Sequence, residues 1–174
     1  MAANVLRFAL FGKEFQAGKT VSIHRLIDSL KARGAEIYIE RTFFQYITSA
    51  LGMEVEVSGV FDNYNFDVDF VISIGGDGTF LRAASMVGSK ATPIIGVNTG
   101  RLGFLADIHP DEIDHAIAEI ADGHYAVEPH AVIMVEADGE IIEGSPFALN
   151  DIAVLKRDNA AMISVRTCIN GEYL

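Results

Sequence analysis

The chain has 174 residues, half of them apolar, and a formal net charge of −11. That length accommodates one full domain and part of a second around a sizeable core, and the acidity argues against a nucleic-acid partner, which needs a basic stripe. No apolar run reaches the ~18–20 residues of a membrane span, and Cys168 is the only cysteine, which excludes an internal disulfide or a thiolate zinc site. The first residues also lack the three-part pattern of a signal peptide. The expectation is a cytoplasmic protein with neither nucleic acid nor membrane as partner. If its ligands are anionic, it must hold them with backbone N–H groups, helix N-termini, a few placed cations and Mg²⁺.

Val5–Phe11 reads as a first strand that breaks at Gly12. Thr20–Arg33 has the apolar spacing of a helix, with Val21, Ile23, Leu26, Ile27 and Leu30 on one face and Gly34 as its stop. Glu36–Glu40 reads as a second strand, and Thr42–Leu51 as a helix closed by Gly52. Val68–Ile74 is nearly continuous β-branched sequence, as in a strand buried on both faces. It runs into a glycine loop from which Phe80–Val87 continues as helix, and Pro93–Val97 follows as another buried strand. Asp111–Ala121 reads as a helix with Pro110 at its start and Gly123 beyond its end, and His109 and Glu112 are placed to cap it. Strands alternating with helices predict an α/β fold with a doubly wound, mostly parallel sheet.

From Tyr125 onward no helical period appears. Ala131–Glu136, Phe147–Arg157 and Met162–Ile169 read as strands, with turns at Asp138-Gly139 and Asn170-Gly171. The expected organisation is an α/β domain over 1–128 and, from a boundary at Glu128-Pro129, the start of a β-rich domain over 129–174. The return strand after Asn170-Gly171 is only begun, so the second domain is expected to be cut short.

The strongest chemical signal is Gly75-Gly76-Asp77-Gly78-Thr79. A buried strand delivers this loop to the carboxyl edge of the sheet, where open α/β sheets bind ligands. Glycines let a backbone approach a phosphate closely. Thr79 is a candidate cap for the next helix, whose N-terminus favours anions. A lone carboxylate among phosphate-binding glycines points to a base or a metal contact, and the bland alternative is a tight turn with Asp77 bonded to its own loop. Arg82, one turn into the helix, either reaches a phosphate or faces solvent.

A second loop, Asn98-Thr99-Gly100-Arg101-Leu102-Gly103-Phe104, follows the next buried strand. Asn98 and Thr99 can bond ribose or phosphate, Arg101 can clamp a phosphate, and Phe104 offers a ring to a base or else belongs to the core. The third signal is Asn150-Asp151 within an apolar strand, costly if buried without partners and suited to the two hydroxyls of a ribose. The alternative there is a bulge or a strand-end turn. Gly12…Gly18-Lys19-Thr20 imitates a P-loop, but five residues separate its glycines where that motif has four. Asp67 and Asp69 form a D-x-D that suits a metal or, more simply, a solvated loop. The five histidines show no metal spacing.

These motifs, in this order and at these distances, resemble the NAD kinase family. The resemblance runs from the glycine loop through Asn98-Thr99-Gly100 and Gly103-Phe104 to Asn150-Asp151. It implies ATP and NAD as partners, with a divalent cation, Mg²⁺ or another, accompanying ATP. Asp77 is then the base that takes the proton of the adenosine ribose 2′-hydroxyl of NAD. Gly75, Gly76, Gly78, Thr79, Arg82, Asn98, Thr99, Phe104, Asn150 and Asp151 form the nucleotide-binding set, with no protein-held metal. Asp151 stands where the family usually has a Glu, and a later segment that helps close the NAD site is absent. The 174 residues alone are therefore expected to be inactive, and a homo-oligomer is expected at full length. The glycine loop by itself is shared with lipid kinases of the diacylglycerol type, and a nucleotide-binding fragment without activity is the other alternative.

Overall fold

The computed structural model describes residues 5–13, 20–63, 65–100, 103–138, 140–141, 146–155 and 162–174. Five strands, β1 (Arg7–Gly12), β2 (Glu36–Glu40), β3 (Gly59–Phe61), β4 (Phe70–Gly75) and β5 (Ile94–Asn98), form one sheet in the order β3-β2-β1-β4-β5. Every pairing in it is parallel. The central strands carry the most apolar sequence because helices cover them on both faces. All of β4 is buried, and β1 is buried except at Arg7.

Among the described residues, four α-helices complete the layers: α1 (Thr20–Ala32), α2 (Arg41–Gln45), α3 (Asp77–Val87) and α4 (Ile113–Ala121). Ile23, Leu26, Ile27 and Leu30 of α1 and Ile113, Ile117 and Ile120 of α4 pack on Phe8, Leu10, Ile37, Ile39, Phe70, Ile72 and Ile74, the sheet residues of one face. The opposite face buries Ala9, Phe11 and Val71 beneath Ala83 and Val87 of α3 and against Phe61, Phe66 and Val68. Each of the Val, Leu, Ile and Phe side chains contributes roughly 1.5–3 kcal/mol when fully buried.

Several expectations need correction. Thr42–Leu51 is not a uniform α-helix: α2 passes into π-helical turns over Tyr46–Ala50, and Gly52 ends the segment at φ +64°. Gly59–Phe61 is a strand that the sequence pattern does not reveal. Helix α3 begins at Asp77 rather than Phe80, with Gly76 as its N-cap, so Thr79 lies inside the first turn and caps nothing. Asp67 and Asp69 bind Arg7, at 2.8 and 3.2 Å, and tie the start of β1 to the approach to β4. His109 and Glu112 do form a reciprocal capping box at the turn leading into α4.

Beyond Tyr125 the strands are short: β6 (Ile133–Met134), β7 (Glu136–Ala137), β8 (Glu140–Ile141), β9 (Phe147–Ala148), β10 (Cys168–Ile169) and β11 (Glu172–Tyr173). They pair antiparallel as β6 with β9, β7 with β8 and β10 with β11. Asn170 and Gly171 turn the last hairpin at φ 52° and 87°, as the Asn-Gly pair predicts. The expected long strands over 147–157 and 162–169 shrink to Phe147–Ala148 and Cys168–Ile169, and residues 156–161 lie outside the described set. Val154, Leu155, Met162 and Val165 are exposed, with no facing layer among the described residues.

Candidate functional site

The chain winds outward from β1 to β3, then returns to β4 and β5 on the other side of β1. The winding direction reverses between β1 and β4, which opens a crevice over their carboxyl ends. Gly12 and Gly75 end these two strands there.

The glycines around this crevice fall into two groups. At Gly75 a Cβ would stand 2.4 Å from Thr79 Oγ1, and at Gly12 it would run into the ring of Phe43. Gly96 faces the Cα of Ala106 at 2.6 Å in the same sense. These positions are glycine because the protein's own packing requires it. At Gly76 and Gly78 a Cβ would meet nothing within 4 Å, and neither has a positive φ. Among the described residues, packing gives no reason for glycine at those two positions, which flank Asp77 at the N-terminus of α3.

Asp77 is half-buried and reaches across to the second loop. Its Oδ2 accepts from the backbone N–H of Phe104 at 3.0 Å and its Oδ1 from that of Leu105 at 3.1 Å. The amide of Phe104, then that of Leu105, holds the carboxyl below the usual aspartate range; desolvation opposes them and the Ala106 amide adds to the lowering. A Cβ on Gly103 would fall 2.2–2.6 Å from the carboxylate atoms, so the loop passes this close only as glycine. Thr99 N–H donates to the Gly75 carbonyl at 3.0 Å, a second tie between the loops.

Asn98 is buried and engaged by its own loop: Nδ2 donates to the Ala106 carbonyl at 3.1 Å and Oδ1 accepts from Gly100 N–H at 2.9 Å. The buried Oγ1 of Thr99 has no hydrogen-bond partner among the described residues. Phe104 is 100% exposed, which rules out the core reading of its ring. Arg101 lies outside the described residues, as do residues 14–19 of the P-loop lookalike.

Arg82 neither faces empty solvent nor stands alone. Its Nη2 donates to the Gly12 carbonyl at 2.7 Å and to Glu40 Oε2 at 3.1 Å. The sequence reading missed Glu40, because a pairing across 42 residues leaves no local signal. Asn150 and Asp151 are exposed and bonded to each other at 3.1 Å, two residues beyond β9. Strand β9 meets the far end of α3, where the Phe147 ring lies against Gly88. Hydrogen bonds join Asp77 to Phe104 and Leu105 and Thr99 to Gly75, and none among the described residues joins the Asn150-Asp151 pair to either loop. No group of three or more His, Cys, Asp or Glu among the described residues could hold a metal.

A family model described as the ATP-NAD kinase N-terminal domain matches residues 15–125. A NAD kinase of Bacteroides fragilis is 49% identical over 169 residues, covering 97% of this chain and 58% of that protein. A NAD kinase of Porphyromonas gingivalis is 39% identical with the same coverage, 97% and 58%. The chain thus spans 58% of the length of these relatives. The crystal structure of yeast NADH kinase complexed with NADH superposes with a TM-score of 0.60 at 16% identity, over 83% of this chain and 46% of that one, a likeness of fold.

Proposed function

The chain belongs to the ATP-NAD kinase family, and from that premise we propose that it carries the phosphoryl-transfer centre of an enzyme that moves the γ-phosphate of ATP to the adenosine ribose 2′-hydroxyl of NAD, giving NADP. The observation that carries this reading is the open space at Gly76 and Gly78 on either side of Asp77. Glycines that packing does not require, at a helix N-terminus over a sheet crevice, suit a phosphate chain that must approach the backbone closely.

In the reaction the ribose oxygen bonds to the γ-phosphorus, the bond from that phosphorus to the ADP oxygen breaks, and the hydroxyl proton passes to Asp77. The lowered pKa keeps Asp77 ionised at neutral pH. Each carboxylate oxygen has a second acceptor position beyond its amide bond, so the latched group can still orient a hydroxyl. Such chemistry is mainly positioning and charge stabilisation. Gly76 and Gly78 would cradle the phosphates, while Gly75 and Thr79 shape the loop by packing on each other. Arg82 would add cationic N–H groups. Asn98 and Thr99 hold the second loop in form, Thr99 through its N–H bond to the Gly75 carbonyl, and Phe104 would border the adenine. Asn150 and Asp151 would contact the NAD ribose. Mg²⁺ would arrive with ATP, since the described residues offer no cage of their own and Mg²⁺ is commonly held through substrate phosphates.

A domain boundary at Glu128-Pro129, a cytoplasmic setting and a homo-oligomer at full length complete the proposal. No helix among the described residues is long and apolar enough to cross a membrane. Residues 1–174 alone would be inactive or nearly so, because the short strands after Tyr125 leave Asn150-Asp151 without a built site. The test incubates the complete protein with ATP, Mg²⁺ and NAD and assays NADP. Formation of NADP is expected. Its absence, with phosphorylation of a diacylglycerol instead, would overturn the reading.

A further inference from the structure

Helix α3 sends Arg82 backward over the end of β1, as helical side chains lean toward their N-terminus. The guanidinium arrives at the crevice, where Nη2 bonds the Gly12 carbonyl at 2.7 Å and Glu40 Oε2 at 3.1 Å. Glu40 is the last residue of β2 and only 8% exposed. Its carboxylate also accepts from Thr42 Oγ1 at 2.8 Å and from the Phe43 N–H at 3.1 Å, which caps α2. Phe43 in turn fills the space that a side chain at Gly12 would need. The corner is therefore fixed from three directions, and Glu40 has little freedom to move.

Both bonds use the same nitrogen of Arg82, and its side chain is 42% exposed. Among the described residues no hydrogen bond engages its Nη1 or Nε. A long side chain that would otherwise sample many rotamers is held at one edge with the other presented. We propose that Glu40 is a positioning residue: it acts through Arg82, aiming the guanidinium at the phosphate chain of the nucleotide that binds over Gly76 and Gly78. This deepens the reading above and rests on it for the identity of that nucleotide as ATP.

Calorimetric titration of the complete protein with MgATP and separately with NAD tests the idea in wild type, Glu40→Gln, Arg82→Ala and the double variant. Gln keeps an oxygen to cap α2 but loses the charge that holds Arg82. Glu40→Gln should weaken MgATP about three- to tenfold, within the range of coupling between contacting residues, and leave NAD affinity within about twofold. Arg82→Ala should weaken MgATP at least as much, and adding Glu40→Gln to it should cost nothing more. A loss of the same size in both backgrounds would assign Glu40 to the α2 cap alone and overturn the proposal. Arg82→Ala leaves the cap intact, so unchanged MgATP affinity in that variant overturns it even if Glu40→Gln fails to fold. Wild type that binds MgATP but forms no NADP would sink the proposed activity and leave this inference standing.

Discussion

The Oδ2 atom of Asp77 accepts a 3.0 Å hydrogen bond from the backbone amide of Phe104, so the acid of the first loop fastens the second. The proposed base and the exposed ring thus share one anchor, and the geometry of each depends on the other. Asp77→Asn should lower kcat of the complete enzyme by ~10²–10⁴-fold, the usual loss for a general base. Its carboxyl pKa is lowered, so the ionised form is full above the ordinary value of about 3.9 and declines only as pH falls through the lower folded value. A ¹³C titration of the carboxyl resonance missing from the Asn variant should show no change between about pH 8 and 5. A mutant retaining more than about a tenth of wild-type kcat would remove Asp77 from the role of base.

Gly103→Ala should disable the same anchor from the opposite side. The added carbon would fall 2.2 Å from Asp77 Oδ1, so the loop and the carboxylate must separate. A misplacement on the order of 1 Å can cost ~10²-fold in rate. The expected result is a fall in kcat of about that size, with a modest fall in melting temperature from the lost amide–carboxylate bonds. Unaltered turnover would mean that the latch is incidental.

Much of this arrangement was legible because it is local. Glu36–Glu40 and Thr20–Ala32 follow directly from apolar spacing, and the last hairpin from Asn170-Gly171. What escaped is set by tertiary contact. Gly59–Phe61 becomes a strand only because Tyr38–Glu40 lies beside it. Gly76-Asp77-Gly78 looks like loop by propensity, yet Asp77 and Gly78 are helical once Gly76 caps the helix. The pairing of Arg82 with Glu40, and the use of Asp77 to hold Phe104, join residues far apart in sequence and could not be read from either neighbourhood.

The D-x-D segment gives a test of structure without chemistry. Burial alone would raise the Asp69 pKa, but hydrogen bonds from the Arg7 side chain and backbone, and its charge, outweigh burial and lower it. Stability from this pair is therefore present in full above the unfolded value of about 3.9 and is lost as pH falls through the lower folded value. Asp69→Asn should cost about 1–2 kcal/mol at pH 7, as for a hydrogen bond to a charged group. The gap from wild type should close as the pH drops below about 4. Denaturant melts at several pH values measure it, and a pH-independent gap would show that charge is not the source.

The sharpest distinction lies between Gly76 and Gly78 on one side and stability on the other. An added methyl at Gly78 meets no protein atom within 4 Å, and the residue sits inside the first turn of α3. Alanine there should therefore leave the fold intact and even favour it, since Ala is better than Gly in a helix by up to about 1 kcal/mol. Gly76 is the N-cap, where glycine is tolerated and alanine is poorer, so Gly76→Ala should lower stability slightly. If both glycines exist to admit phosphate, both variants should bind MgATP at least about tenfold more weakly, whatever their melting temperatures do. Gly78→Ala is the decisive one, because its stability and its affinity are expected to move in opposite directions. Calorimetric titration and a thermal melt on the same sample read both. A Gly78→Ala protein that is as stable as wild type and binds MgATP equally well would mean that the open space beside Asp77 is not where the phosphates lie.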